Sequence, residues 1–232
     1  MNTVQKTTQM IVLDLEMNPV PKETASALAR EVIEIGAVRI LENVAIDSFH
    51  TYVKPSLSST VSPYIHRLTG IHNGNIKKAC SFEAAVIDLA GWIGTDAETA
   101  IYAWSDSDRR QLEDEAGAKN VVLPRNMAVF KDVQRMHHEK MGADIARKQM
   151  ALSKAAEQYG ITMSKKKSHS ALYDAEITAE ILVLLETGRY QKQAALLRKA
   201  AETKKEPAAS GILLGDLCRG IFEQMNIQTA SV

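Results

Sequence analysis

Residues 10–15 read MIVLDL, residues 31–41 read EVIEIGAVRIL and residues 44–53 read VAIDSFHTYV. The first is an apolar run of strand length that ends on acids, because Glu16 follows. The second alternates Val32, Glu34 and Gly36 with Ile33, Ile35 and Ala37, and its β-branched content favours a strand. The third is strand-like too, and the Glu42-Asn43 pair between them suits a tight hairpin. The chain is therefore expected to open on an antiparallel three-strand meander. The two prolines of Asn18–Pro21 should break regular structure after the first strand.

Working outward, Lys54–Asn75 holds Pro55, Pro63, Gly70 and Gly74 and reads as loop-rich. A helix should begin at Ser81, carry Val86, Leu89, Ala90 and Ile93 at helical spacing, and end at Gly94. Thr99–Trp104 reads as a short strand, Ser105–Ala116 as a helix and Met127–Phe130 as a further strand. Helices are expected at Val133–Met141, Ala151–Tyr159 and Ala171–Glu186, the last with an apolar stripe of Leu172, Ala175, Ala179 and Leu182. Strands first, then strands alternating with helices, indicate an α/β layered domain. Residues 1–8 are polar and read as disordered, the domain is expected over 9–190, and 191–232 reads as a helical C-terminal extension.

Of the 232 residues 45 % are apolar and 24 % charged, enough to bury a core without a disulfide or metal staple. Cys80 and Cys218 lie far apart, with no CxxC or Cys/His cluster. That spacing argues against a zinc site, rules out a disulfide framework and suits a reducing compartment. There is no basic-then-apolar leader and no apolar run of membrane-spanning length, so the reading is a cytoplasmic protein with no membrane partner. Formal net charge is zero. The basic balance that would advertise a nucleic-acid partner is absent, but metal ions held among carboxylates would hide positive charge from such a count.

Three pieces of chemistry sit at the ends of expected elements. Asp14 and Glu16 are two apart on a strand and share one face. Side by side they repel unless a cation lies between them, and oxygen ligands suit Mg²⁺ or Mn²⁺. The plainer reading is a solvated strand end. In Trp104-Ser105-Asp106-Ser107-Asp108 a strand meets a helix; the phase relative to Leu112 favours Asp108 as the inward-facing acid, with Asp106 its competitor or an N-cap. In His169-Ser170-Ala171-Leu172-Tyr173-Asp174, His169 lies in a lead-in and Asp174 inside a mostly apolar helix, where an acid needs a basic partner or a metal. Tyr173, one residue away, points about 100° from Asp174. Trp104 reads as core packing, and a lone histidine is more often structural than catalytic.

Taken in order, Asp14-x-Glu16, Asp108 and His169-x4-Asp174 resemble the DEDDh 3′–5′ exonuclease family, and Ile33–Val38 and His66-x-Leu68-Thr69-Gly70-Ile71 are similar as well. The resemblance runs from Gln9 to Arg189. Two features depart from it. Met17-Asn18 follow Glu16 where proofreading members carry Thr or Thr-Gly, and Asn18–Arg30 is longer than in compact members. Both bear on substrate choice.

The resemblance implies a ribonuclease H-like fold, with a mixed five-stranded sheet flanked by helices and the acids converging at one sheet edge. It implies 3′–5′ removal of nucleoside 5′-monophosphates from single-stranded nucleic-acid ends, RNA or DNA, with two Mg²⁺ or Mn²⁺ ions per site. Asp14 would bridge the ions, Glu16 and Asp174 complete one site, and Asp108 hold the other ion chiefly through water. His169 would take a proton from the attacking water. Met17 would wedge against the terminal base, with ordinary packing as its plainer role. His66, Leu68 and Thr69 would line the terminal-nucleotide pocket, and Lys165–Lys167 would meet phosphates. The rival readings are a catalytically impaired nucleic-acid-binding or interaction module, and an unrelated Mg²⁺ phosphatase or endonuclease indifferent to a free 3′ end. Gln191–Val232 is open to three roles: a cap on the domain, a homodimer contact or a partner surface.

Overall fold

Strand β1 (Thr8–Pro19) is the spine of the domain. It pairs antiparallel with β2 (Arg30–Leu41), which pairs antiparallel with β3 (Val44–Lys54). These strands come from a computed structural model that describes residues 8–95, 97–141, 150–164 and 169–190. The readings of residues 1–7, of Lys165–Lys167 and of 191–232 lie outside the described residues. The expected meander is present, and its hairpin turns at Glu42 and Asn43, with φ of 51° and 64°. Two successive left-handed residues make the turn that matches strand twist.

Beyond β3 come α1 (Pro63–Thr69), α2 (Asn73–Lys77), the two-residue β4 (Cys80–Ser81), α3 (Phe82–Ile93), β5 (Glu98–Ala103), α4 (Asp106–Lys119), β6 (Phe130–Asp132), α5 (Val133–Met141), α6 (Leu152–Gln158) and α7 (Ala171–Glu186). The sheet order is β4-β3-β2-β1-β5-β6, with β5 parallel to β1, β6 parallel to β5 and β4 parallel to β3. It is the ribonuclease H-like mixed sheet with helices on both faces, with a sixth, very short strand beyond the five expected.

Three expectations need correction. Asn18 and Pro19 do not break β1; they pair with Glu31 and Arg30. Since β5 pairs β1 only over Thr8–Val12, the far end of β1 has a free flank that tolerates proline. Lys54–Asn75 is not simply loop: Ser62 caps α1, Pro63 occupies its first turn and Gly70 closes it in the left-handed conformation, so these residues are caps and not breakers. Residues 125–127 form a 3₁₀ turn, and the strand expected at Met127–Phe130 lies at Phe130–Asp132.

Alternation along β1 divides the core. Ile11, Leu13 and Leu15 pack with Phe82, Val86 and Leu89 of α3 and Leu112 of α4 on one face. Val12, Asp14 and Glu16 therefore face the other side, where α7 lies against β1 and β2. Register places Gly36 opposite Asp14 and Glu34 opposite Glu16, on that same face. The pairing then shifts, with Met17 opposite Val32, which leaves Ile33 as a bulge. Ile33 turns into a separate apolar cluster with Val61, Ile65, Ile71 and Ile76, and so fastens α1 and α2 beside the end of β1.

Candidate active site

Helix α7 reaches the acids because Gly36 lets it. A Cβ on Gly36 would stand 2.1 Å from the Leu172 nitrogen and 2.3 Å from the Ala171 carbonyl carbon. The N-cap residue Ser170 makes no side-chain cap bond; instead the Ala171 amide donates to Glu34 Oε2 at 3.0 Å. A carboxylate from β2 thus caps α7, stabilised by the positive end of the helix. Glu34 Oε1 is paired with His50 Nε2 at 2.7 Å. This seating puts Asp174 in the first turn of α7, not mid-helix, over the face that carries Asp14 and Glu16. His169 sits just before the helix with φ of 65°, and its backbone amide donates to Asp174 Oδ2 at 3.3 Å.

The fourth acid arrives from the opposite flank. Ser105 caps α4, accepting from the Ser107 amide, and the first turn then carries both Asp106 and Asp108. Asp108 is 5 % exposed and accepts from the Leu15 amide at 3.2 Å, which locks it to β1 between Asp14 and Glu16. Asp106 points away: Arg109 and Arg110 both reach it at 2.6 Å, and it lines a neighbouring cavity. The Arg109 hydrogen bond, with help from Arg110, holds its carboxyl at about 2.

Asp14, Glu16, Asp108, Asp174 and His169 line one cavity of about 500 Å³. Donor atoms of Glu16, His169 and Asp174 lie within 4.8 Å of one another, a grouping able to hold a metal ion. Burial, then repulsion from Asp108, Glu16, Asp174 and Glu34, raises the Asp14 carboxyl well above the usual carboxylate range. Burial, then Glu34, Asp174 and Asp108, pushes Glu16 up to about 8. Burial also raises Asp108, against the Leu15 amide bond, and raises Asp174, against the attraction of His169. Crowded carboxyls that resist ionisation are what a cation would relieve. Asp174 Oδ1 is buried without a hydrogen-bond partner, so an acceptor there awaits a donor or an ion. Four carboxylates beside a single imidazole, with no thiolate, fit a hard divalent cation.

Of the other residues read from the sequence, Met17 and Leu68 line the cavity. His66 and Thr69 are not among its lining residues. His66 Nδ1 is bonded to the Ile71 carbonyl, and the Thr69 hydroxyl donates to the Ile65 carbonyl and accepts from the Ile71 amide. Both tie down the turn after α1. Trp104 is 8 % exposed and donates to the Met150 carbonyl, as a core residue at the cavity edge. The Tyr173 hydroxyl accepts from the Ser164 amide and does not line the cavity. Sequence reasoning gave no role to Glu34 or to the His50 paired with it, nor to Arg30 and Tyr64, which line the cavity. The signal for Glu34 was available, as a charged residue inside an otherwise apolar strand.

The comparisons agree with this architecture. The chain is 28 % identical over 184 residues to the DNA polymerase III epsilon subunit of Salmonella typhimurium, a match covering 78 % of the chain and 73 % of that protein. It is 26 % identical over 175 residues to the PolC-type DNA polymerase III of Caldanaerobacter subterraneus subsp. tengcongensis, but spans only 11 % of that protein's length. The nuclease domain of 3′hExo, a DEDDh family member solved bound to rAMP, superposes with a TM-score of 0.69 at 19 % identity, over 78 % of this chain and 94 % of that one. A family model described as Exonuclease, of the RNase T type, matches residues 11–182. The chain therefore belongs to the RNase T exonuclease family and is of the DEDDh type.

Proposed function

We propose that this chain is a metal-dependent 3′–5′ exonuclease that releases nucleoside 5′-monophosphates from single-stranded nucleic-acid ends. The observation that carries the reading is the convergence of Asp14, Glu16, Asp108 and Asp174 with His169 on one cavity. Asp14, Glu16 and Asp174 from the α7 side and Asp108 from α4 would hold two Mg²⁺ or Mn²⁺ ions. Such ions, when bound, neutralise phosphate charge and assist both the attacking and the leaving oxygen.

The chain's own groups do the rest. His169 is exposed at the cavity, where it takes the proton of the attacking water. The water oxygen bonds to phosphorus, the bond to the upstream 3′ oxygen breaks, and that oxygen leaves with the electron pair and gains a proton. Met17 and Leu68 bracket the terminal base. His66 and Thr69 act at one remove by fixing the turn beyond Leu68. A reducing, cytoplasmic setting is part of this reading, from the two widely separated cysteines.

The test is degradation of 5′-labelled single strands of RNA and DNA, each with a free or a blocked 3′ end. A ladder shortening from the free 3′ end, dependent on Mn²⁺ or Mg²⁺ and stopped by chelator, is expected. Full activity in excess chelator, or equal cleavage of blocked strands, would refute it; the second result would point to an endonuclease.

A further inference from the structure

Glu34 stands opposite Glu16 in register, and after burial it is the largest cause of the rise at Glu16. That position would make it a fifth metal ligand. Two observations give it another role. Glu34 is 2 % exposed and is not among the residues that line the cavity. Both of its oxygens are also engaged by protein groups: Oε2 accepts from the Ala171 amide at 3.0 Å, and Oε1 is paired with His50 Nε2 at 2.7 Å. A carboxyl held at each oxygen has lost the rotameric freedom of its long stem. His50 lies on β3 opposite Gly36, and the Tyr52 ring stands edge-on to it with centroids 5.0 Å apart. One chain of contacts therefore runs from β3 through β2 to the first residue of α7.

The cavity has two sides, and they are fastened separately. On the side of Leu68, the Ser62 amide donates to the buried Asn18 Oδ1 at 2.8 Å, Asn18 Nδ2 donates to the Thr60 carbonyl, and Ile33 packs with Val61 and Ile65. These contacts tie α1 to β1 and β2. On the other side, His169 and Asp174 belong to the start of α7, where Ser170 offers no side-chain cap and Glu34 supplies the acceptor. Ile33 and Glu34 are neighbours on β2, yet each secures a different side.

We propose that Glu34 and His50 are a positioning pair for hydrolysis: His50 fixes the Glu34 carboxyl, and Glu34 fixes the start of α7 where His169 and Asp174 meet Asp14 and Glu16. The inference rests on the exonuclease reading above. Neither residue touches substrate or ion. Losing the pair should slow turnover and leave nucleotide binding nearly unchanged, because the side that carries Met17 and Leu68 keeps its own fastening.

The experiment has two readouts on the full chain. The first is exchange of the Ala171 amide proton in the metal-free protein, followed by NMR. The second is hydrolysis of the p-nitrophenyl ester of thymidine 5′-monophosphate at saturating Mn²⁺. Glu34→Ala should speed the exchange about 10- to 100-fold, the span of a lost hydrogen bond to a charged group. It should lower kcat by about 10- to 100-fold, with KM within about threefold of wild type. Glu34→Gln keeps an oxygen for the Ala171 amide and should recover most of both. His50→Ala should act in the same direction, by about five- to tenfold, and His50→Gln, whose side-chain amide can stand in for Nε2, should recover it. The His50 side chain is 36 % exposed, so its variants decide the matter if Glu34→Ala does not fold. The pairing is overturned if folded alanine variants keep kcat within about twofold of wild type. It is equally overturned if Ala171 exchange is unchanged, if KM rises as much as kcat falls, or if Glu34→Gln is as impaired as Glu34→Ala. If the wild type releases no p-nitrophenol while exchange responds as expected, the exonuclease reading fails and the hold on α7 stands.

Discussion

Asp106 and Asp108 occupy one turn of α4, two residues apart, and opposite forces hold them. Asp106 has two guanidinium partners and stays ionised far into acid. Asp108 is buried among other acids, and its carboxyl is raised. A carboxylate already neutralised by arginines has little left to offer a metal, whereas one crowded by like charge has everything to gain from it. Asp108→Ala should therefore lower kcat by about 10²-fold or more, equivalent to roughly 2.7 kcal/mol of barrier. Asp106→Ala should stay within a few-fold of wild type. Steady-state kinetics on both folded variants check this, and the reverse ranking would move the ligand to Asp106. Helix phase counted from Leu112 points Asp108 inward from the sequence alone, and Asp108 is buried and lines the cavity. No such periodic rule exists for loop side chains, which is why His66 and Thr69 read as pocket residues although their hydrogen bonds are spent on their own turn.

The elements that bring the acids together depend on backbone fit. Helix α7 lies so close to β2 that Gly36 has no room for a methyl group, and Glu34 beside it supplies the missing cap for Ala171. Gly36→Ala must push α7 outward, and His169 and Asp174 go with it. Overpacking of this kind costs about 1–3 kcal/mol of stability. A misplacement of about 1 Å in a reacting geometry costs on the order of 10²-fold in rate. The expected outcome is a variant that melts a few degrees lower but has lost activity out of proportion, at temperatures where it is fully folded. Near-normal kcat in folded Gly36→Ala would show that the contact is not what places α7. The bounds of α7 were legible because its apolar stripe and its terminal residues agree. Helices α1 and α2 were not, since Pro63, Gly70 and Gly74 read as loop residues until the Ser62 cap makes Pro63 and Gly70 the ends of α1 and the His72 side chain accepts the Gly74 amide in the first turn of α2. Nor does any local pattern announce the bulge at Ile33, which comes from how two strands fall into register. The Glu31–Lys119–Glu115 cluster is equally non-local: Lys119 pairs with Glu115 one turn back on α4 and with Glu31 of β2, 88 residues away.

At the scale of the whole molecule, the site is a load that the fold carries when no cation is bound. Glu16 is shifted from an ordinary 4.5 to about 8, and Asp14, Asp108 and Asp174 are raised with it. A carboxyl whose pKa is higher in the folded than in the unfolded state binds its proton more tightly when folded. Its contribution to stability is fully present below the unfolded value and is lost as pH rises through the folded one. For Glu16 that window runs from pH 4.5 to about 8, the reverse of the usual salt-bridged acid. The metal-free protein should accordingly become less stable across this range. Other groups titrate in it too, so the decisive quantity is the difference between wild type and Glu16→Gln, which removes the charge but keeps the shape. With chelator present, wild type should lose on the order of 1–3 kcal/mol relative to the variant between pH 5 and pH 8, because each tenfold change in proton affinity is equivalent to about 1.4 kcal/mol and residual solvent access screens part of it. For a domain of this size that is roughly 2–10 °C in relative melting temperature. Saturating Mn²⁺ should reverse the difference at pH 8, because the ionised site binds the cation and binding to the native state stabilises it, an effect the variant lacks in part. A wild-type-minus-variant difference that is flat with pH in chelator, and unmoved by Mn²⁺, would mean that Glu16 bears no such strain and is not positioned to hold a metal.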